Sequence, residues 1–151
     1  VFVGEGVKKA ALEEQTRSLG LGNVRFLPYA PKERLTESFA SADVFIVSLK
    51  KGLSGIIVPS KLYGILAAGR PYVAAVEDDC EITDITRQYD CGVLATLGDP
   101  ADLAEKILTL YRDRPLTARL GQNARLAGLQ FDRKPQVEKY FALFQQLVGA
   151  R

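Results

Sequence analysis

The residues with the most chemical potential lie between Ser54 and Ala75. Ser54 and Gly55 form a bendable loop, Ile56, Ile57 and Val58 lead out of it, and Pro59, Ser60 and Lys61 open a helix that passes through Gly64. Gly69 and Pro71 stand where a helix stops, and Tyr72 to Val76 continue as an apolar strand. A glycine-containing loop feeding a helix N-terminus turns free backbone N–H groups and the positive dipole end toward one spot, which suits an anion. Lys61 in the first turn is badly placed against that dipole, and a bound phosphate reverses the sign of the cost. Ser60 or Ser54 is expected to cap the helix. The same run also reads as plain scaffold that binds nothing.

Other candidates are weaker. Gly4 and Gly6 follow a short strand, Val1 to Val3, and precede a helix, but no third glycine completes a dinucleotide fingerprint. They are either a phosphate contact or a tight turn. Tyr29 follows the strand Val24 to Leu27, at the edge where open α/β sheets bind ligands. Its ring either flanks a base or sugar or packs on its own loop. Lys50 and Lys51 add positive potential or form a solvated loop. Glu77, Asp78 and Asp79 are either magnesium ligands or the acidic bias of a helix start.

Composition narrows the field. Among 151 residues, 47% are hydrophobic and 25% charged, ordinary values for a globular domain with a sizeable core. A net charge of +2 is too small to argue for nucleic acid. The absence of histidine removes serine–histidine and cysteine–histidine nucleophiles and histidine metal sites from this chain. Cys80 and Cys91 make no disulfide framework or zinc pattern and read as buried thiols in a reducing, cytoplasmic setting. No apolar run of about 18 residues spans a membrane. The chain opens in mid-strand without a methionine, which suggests a piece of a longer protein in which residues 1–151 form one domain.

The elements that must position these residues follow in order. Val7 to Leu19 is predicted as an amphipathic helix with Val7, Ala11, Leu12 and Leu19 near one face. Lys32 to Ser41 is predicted as a second helix with Leu35 and Phe39 inward. Asp43 to Leu49 reads as a strand buried on both faces. Cys80 to Tyr89 is a helix, Cys91 to Ala95 a strand, and Asp99 caps a helix from Pro100 to about Arg112. Helices over about 115–127 and 135–148 finish the chain, the last with Val137, Phe141, Phe144 and Leu147 in a core or docking stripe. Five strand–helix alternations followed by helices predict an α/β fold, a doubly wound Rossmann-like parallel sheet with C-terminal helices.

In that order, Val3-Gly4-Glu5-Gly6, Asn23 to Leu27, Ser41 to Ile46, Pro59 to Pro71, Gly98-Asp99-Pro100 and Leu120 to Arg125 resemble the C-terminal half of a GT-B glycosyltransferase of the retaining group 1, or family 4, class. Nearly the whole chain takes part, and the central segment is most similar to bacterial capsule and exopolysaccharide transferases. The resemblance implies binding of a nucleotide diphosphate sugar of UDP or GDP type, without a cofactor or metal. Tyr29 would border the base, with Gly4 and Gly6 as weaker phosphate contacts. Ser54, Gly55, Ile56, Val58, Pro59, Ser60, Lys61 and Gly64 would border the sugar and diphosphate. Two glutamates typical of the family fall at Ile56 and Gly64 here, so no catalytic residue is assigned. The resemblance further implies an N-terminal partner domain, membrane association only for the full-length protein, and no transferase activity in this chain alone. A non-catalytic nucleotide-sugar binding module, or an epimerase of the same fold, are the competing readings.

Overall fold

The structure, a computed structural model, describes residues 1–149 and divides into two compact units, the first ending at Ser38. In the first, strands β1 (Phe2–Val3) and β2 (Phe26–Leu27) pair in parallel, Phe2 opposite Phe26, with their rings stacked 5.2 Å apart. Helix α1 (Lys9–Ser18) connects them. It begins two residues later than predicted and buries nothing: Val7 and Leu19 stand in solvent. The second predicted helix is a 3-10 turn, Lys32–Arg34, followed by α2 (Leu35–Ala40), which runs into the second unit. Leu35 is exposed rather than inward, whereas Phe39 packs on the core.

The second unit is built on a parallel sheet ordered β3 (Phe45–Ser48), β4 (Tyr72–Ala75), β5 (Gly92–Ala95). Its register sets Phe45 beside Tyr72 and Tyr72 beside Gly92. Every residue of β4 is buried, as a central strand covered on both faces requires. On one face Tyr72 and Ala74 join α3 (Lys61–Ala67), α4 (Glu81–Tyr89) and the later part of α6 (Arg114–Gln130). On the other, Val73 and Ala75 pack with Leu110 of α5 (Pro100–Arg112) and Leu120 of α6. Such alternation along one strand, with helices on each side, is the doubly wound arrangement. Strand β3 departs from expectation. It lies at the edge of this three-stranded sheet and alternates, Val47 buried and Ile46 half exposed, instead of being buried on both faces.

Local signals held at the ends of several elements. Gly69 takes φ +64° and stops α3, with Arg70 N–H reaching back to Ile65 O at 3.2 Å. Asp99 Oδ1 accepts from Ala101 and Asp102 N–H at 2.9 and 3.0 Å and caps α5. Helix α6 lies close on α3 because small residues face it: Ala124 and Ala127 are fully buried, and a Cβ on Gly128 would stand 2.8 Å from Leu66 backbone. The last helix, α7 (Arg133–Gly149), buries no residue. Val137, Phe141, Phe144 and Leu147 are therefore not core residues.

Candidate functional site

Crossover β3–α3–β4 sends residues 49–60 across the carboxyl edge of the sheet, the edge at which open α/β sheets hold ligands. Two glycines with positive φ, Gly52 at +80° and Gly55 at +74°, shape that loop. Its anchor is Glu77, two residues beyond β4. Glu77 Oε2 accepts from Ser54 Oγ at 2.7 Å and from Gly52 N–H at 3.0 Å. These bonds, the Ser54 hydroxyl first, hold the Glu77 carboxyl below the usual glutamate range. Ser54 therefore does not cap α3. Ser60 does not either: its backbone is already helical and its side chain makes no cap bond, while Leu62 N–H bonds Pro59 O at 2.9 Å.

A cavity of about 260 Å³ lies beneath the loop. Gly55, Ile57 and Val58 form one wall, and Asp79, Glu81 and Asp84 bring carboxylates to the other. The acids make it suited to accept hydrogen bonds from hydroxyl groups and ill suited to a phosphate. Of the predicted residues, Gly55 and Val58 line it; Ser54, Ile56, Pro59, Ser60, Lys61 and Gly64 do not. Ile56 is exposed on the outer side of the loop, and Lys61 is exposed at the start of α3. Glu81 also accepts from Tyr63 Oη at 2.9 Å; burial, reinforced by that bond, pushes the Tyr63 phenol up to about 12.

Gly64 has a packing reason. A Cβ there would stand 3.0 Å from two atoms of the Phe39 ring, so a longer side chain displaces Phe39 from the core. The first unit places its own candidates together. Gly4, at φ +128°, lies under the Tyr29 ring, 2.9 Å from where a Cβ would be, and Tyr29 Oη donates to Glu5 O at 3.3 Å. Tyr29 thus packs on the loop that follows β1, not on its own, while remaining mostly exposed, and Gly6 has open space around it. Asp78 is engaged by Arg87 at 2.9 Å. Both cysteines are buried free thiols, as expected. The sequence reading weighed Glu77 only as a metal ligand or a helix-start acid and missed its hold on the loop; its place directly after an apolar strand was the available signal.

A family model described as glycosyl transferases group 1 matches residues 1–127. The chain is 35% identical over 111 residues to the probable glycosyltransferase WbjE of Pseudomonas aeruginosa, covering 70% of this chain and 26% of that one. It is 32% identical over 88 residues to the putative colanic acid biosynthesis glycosyl transferase WcaI of Escherichia coli, covering 58% and 22%. Its fold matches the crystal structure of Anabaena HepE in complex with UDP-glucose with a TM-score of 0.74 at 24% identity, over 93% of this chain and 39% of that one. The chain spans between 22% and 35% of the length of the curated relatives it matches.

Proposed function

Because the chain belongs to the group 1 glycosyl transferases, we propose that it is the donor-binding half of a retaining transferase that moves a sugar from a nucleotide diphosphate sugar to an acceptor hydroxyl in polysaccharide or glycoconjugate assembly. The observation that carries this reading is the loop at the carboxyl edge of the sheet, held by Glu77 above a carboxylate-lined cavity and joined directly to Lys61. The cavity takes sugar hydroxyls. Lys61 and the backbone amides opening α3 meet the diphosphate. In the transfer step the bond from the anomeric carbon to the diphosphate oxygen breaks and one to the acceptor oxygen forms; the acceptor proton leaves with the diphosphate. Negative charge grows on the leaving oxygen, and the Lys61 cation and aligned N–H groups stabilise it more than they stabilise the bound donor. Glu77 supplies order to the sugar loop, in a chain that has isoleucine at position 56 and glycine at 64.

UDP is the favoured nucleotide, since HepE, which shares the fold, is described with UDP-glucose; GDP is the alternative. The acceptor half is a further N-terminal domain of the protein. Among the described residues no helix is long and apolar enough to cross a membrane, and we place the chain in the cytoplasm, with any membrane association belonging to the full-length protein. The missing carboxylates at 56 and 64 favour one second reading, a nucleotide-sugar binding module without turnover.

Calorimetric titration with UDP and GDP, then with the matching sugar nucleotides, tests the reading. Saturable binding of one nucleotide, weakened about tenfold by Lys61→Ala, is expected. Absence of binding by both this chain and the full-length protein, or binding indifferent to Lys61→Ala, overturns it. Turnover by the full-length protein separates the transferase from the binding module.

A further inference from the structure

A second polar cavity, of about 440 Å³ and open to solvent, lies at the amino edge of the β3–β4–β5 sheet. Four-residue strands put it about 13 Å from the carboxyl edge. Asp43, just before β3, and Arg70, just before β4, line it together with α6. Along α6, Arg114, Ala118, Gly121 and Arg125 recur at helical spacing and share one face. The middle of that face is bare: a Cβ on Gly121 would stand 2.8 Å from Gly69 O, so only glycine permits the contact that floors the cavity. An arginine stands at each end, and Arg70 enters from the turn.

The three guanidiniums are poorly neutralised. Asp43 is the one carboxylate of the lining, and its Oδ1 is 3.8 Å from Arg114 Nη1, with both side chains mostly exposed. Arg70 donates from Nη2 to Ala40 O, and its solvent-shielded Nε has no acceptor. Arg125 donates from Nη1 to Ala67 O at 2.7 Å, which fixes the side chain across the turn. Arg114 also lies over the Tyr111 ring at 5.2 Å. Guanidiniums offer five N–H donors each in a planar fork. Gathering three around one concave surface costs mutual repulsion, which an oxyanion offsets while accepting the spare donors in pairs. The volume lies within the range of small-molecule sites.

We propose that this cavity binds a phosphate-class oxyanion, presented either as a free phosphate or diphosphate or as an anionic lipid headgroup. It goes beyond the donor-site reading and does not depend on it, since none of its lining residues belongs to the donor loop.

The test is calorimetric titration of the chain with inorganic pyrophosphate at low ionic strength, with circular dichroism to verify folding of each variant. Saturable binding is expected, weakened about tenfold by Arg114→Gln and partly restored by Arg114→Lys, which keeps the charge and loses the fork. Co-sedimentation with vesicles of phosphatidylcholine and phosphatidylglycerol, roughly three parts to one, identifies the source: vesicle binding sensitive to Arg114→Gln points to a lipid headgroup, and pyrophosphate binding alone points to a free anion. Binding to neither probe overturns the proposal. So does pyrophosphate binding that survives Arg114→Gln undiminished.

Discussion

Substituting Gly128 by alanine sets two rules against each other. In a helix interior alanine is favoured over glycine by about 1 kcal/mol, and Gly128 lies inside α6. The contact geometry predicts the reverse. The new Cβ would stand 2.8 Å from the Leu66 carbonyl carbon, 2.9 Å from its oxygen and 3.0 Å from Ala67 N. All three are main-chain atoms and cannot rotate aside. Carbon contacts are comfortable from about 3.5 Å, so α6 must retreat from α3 by roughly 0.7 Å, enough to lose a quarter to a half of the dispersion energy of atoms across the gap. That gap runs beside the fully buried Ala124 and Ala127. Overpacking costs about 1–3 kcal/mol, and unyielding main-chain neighbours put this site in the upper part of that range, about 2–3 kcal/mol; after the helix-propensity gain of about 1 kcal/mol a net loss of about 1–2 kcal/mol remains. For a chain of this size Tm should fall by about 2–8 °C. Scanning calorimetry and urea unfolding read it, with the urea midpoint lowered and the slope unchanged. An unchanged or raised Tm would refute the close-approach reasoning.

Two further outcomes are expected. The Glu77 carboxyl is depressed in the folded protein, so its hold on the loop is present above the ordinary glutamate pKa, about 4.3, and is lost as pH falls through the lower folded value. Nucleotide affinity should therefore drop with acid below the ordinary range in the wild type, whereas Glu77→Gln should bind more weakly at neutral pH and lack that step. Titrations across pH compare the two, and an identical acid step in both would remove Glu77 from the site. The Tyr72 hydroxyl is buried against Thr86 Oγ1 at 2.7 Å and Cys91 Sγ at 3.4 Å, and Thr86 keeps its bond to Ile82 O at 2.6 Å without it. Tyr72→Phe should cost about 0.5–1.5 kcal/mol in urea unfolding, and a loss above about 3 would show that the hydroxyl does more than close a satisfied network.

What was legible in the sequence was what neighbouring residues decide among themselves. The helix stop at Gly69, the cap at Asp99 and the apolar run of β4 need no distant partner to be recognised. Errors arose where a remote residue intervened. Ser54 was a reasonable cap until Glu77, 23 positions away, took its hydroxyl. Gly64 read as a lost acid, and the structure supplies the Phe39 ring as a reason for bareness there. Strand β3 read as doubly covered because its composition is apolar, but coverage depends on sheet order, which composition does not carry. For the site, the loop residues were visible as a run, whereas the acids facing them, Glu81 and Asp84, share no spacing with the loop and meet it only across the sheet edge.

Helix α7 has a bearing on how the molecule melts. Its 17 residues make a rod about 25 Å long with no buried side chain. Isolated helices of that length are marginal in water, because nucleation is costly and only packing makes the gain cooperative. Its ellipticity should therefore decay gradually on warming, as a sloping pre-transition baseline, while the sheet and helices α3 to α6 unfold together later. Amide protons of α7 should exchange in the fastest class, well before those of β4. A two-state fit to helical signal alone would fold that slope into the apparent enthalpy and report too broad a transition, whereas the change in tyrosine absorbance follows the core, because Tyr72 is fully buried while Tyr29, Tyr111 and Tyr140 are already exposed.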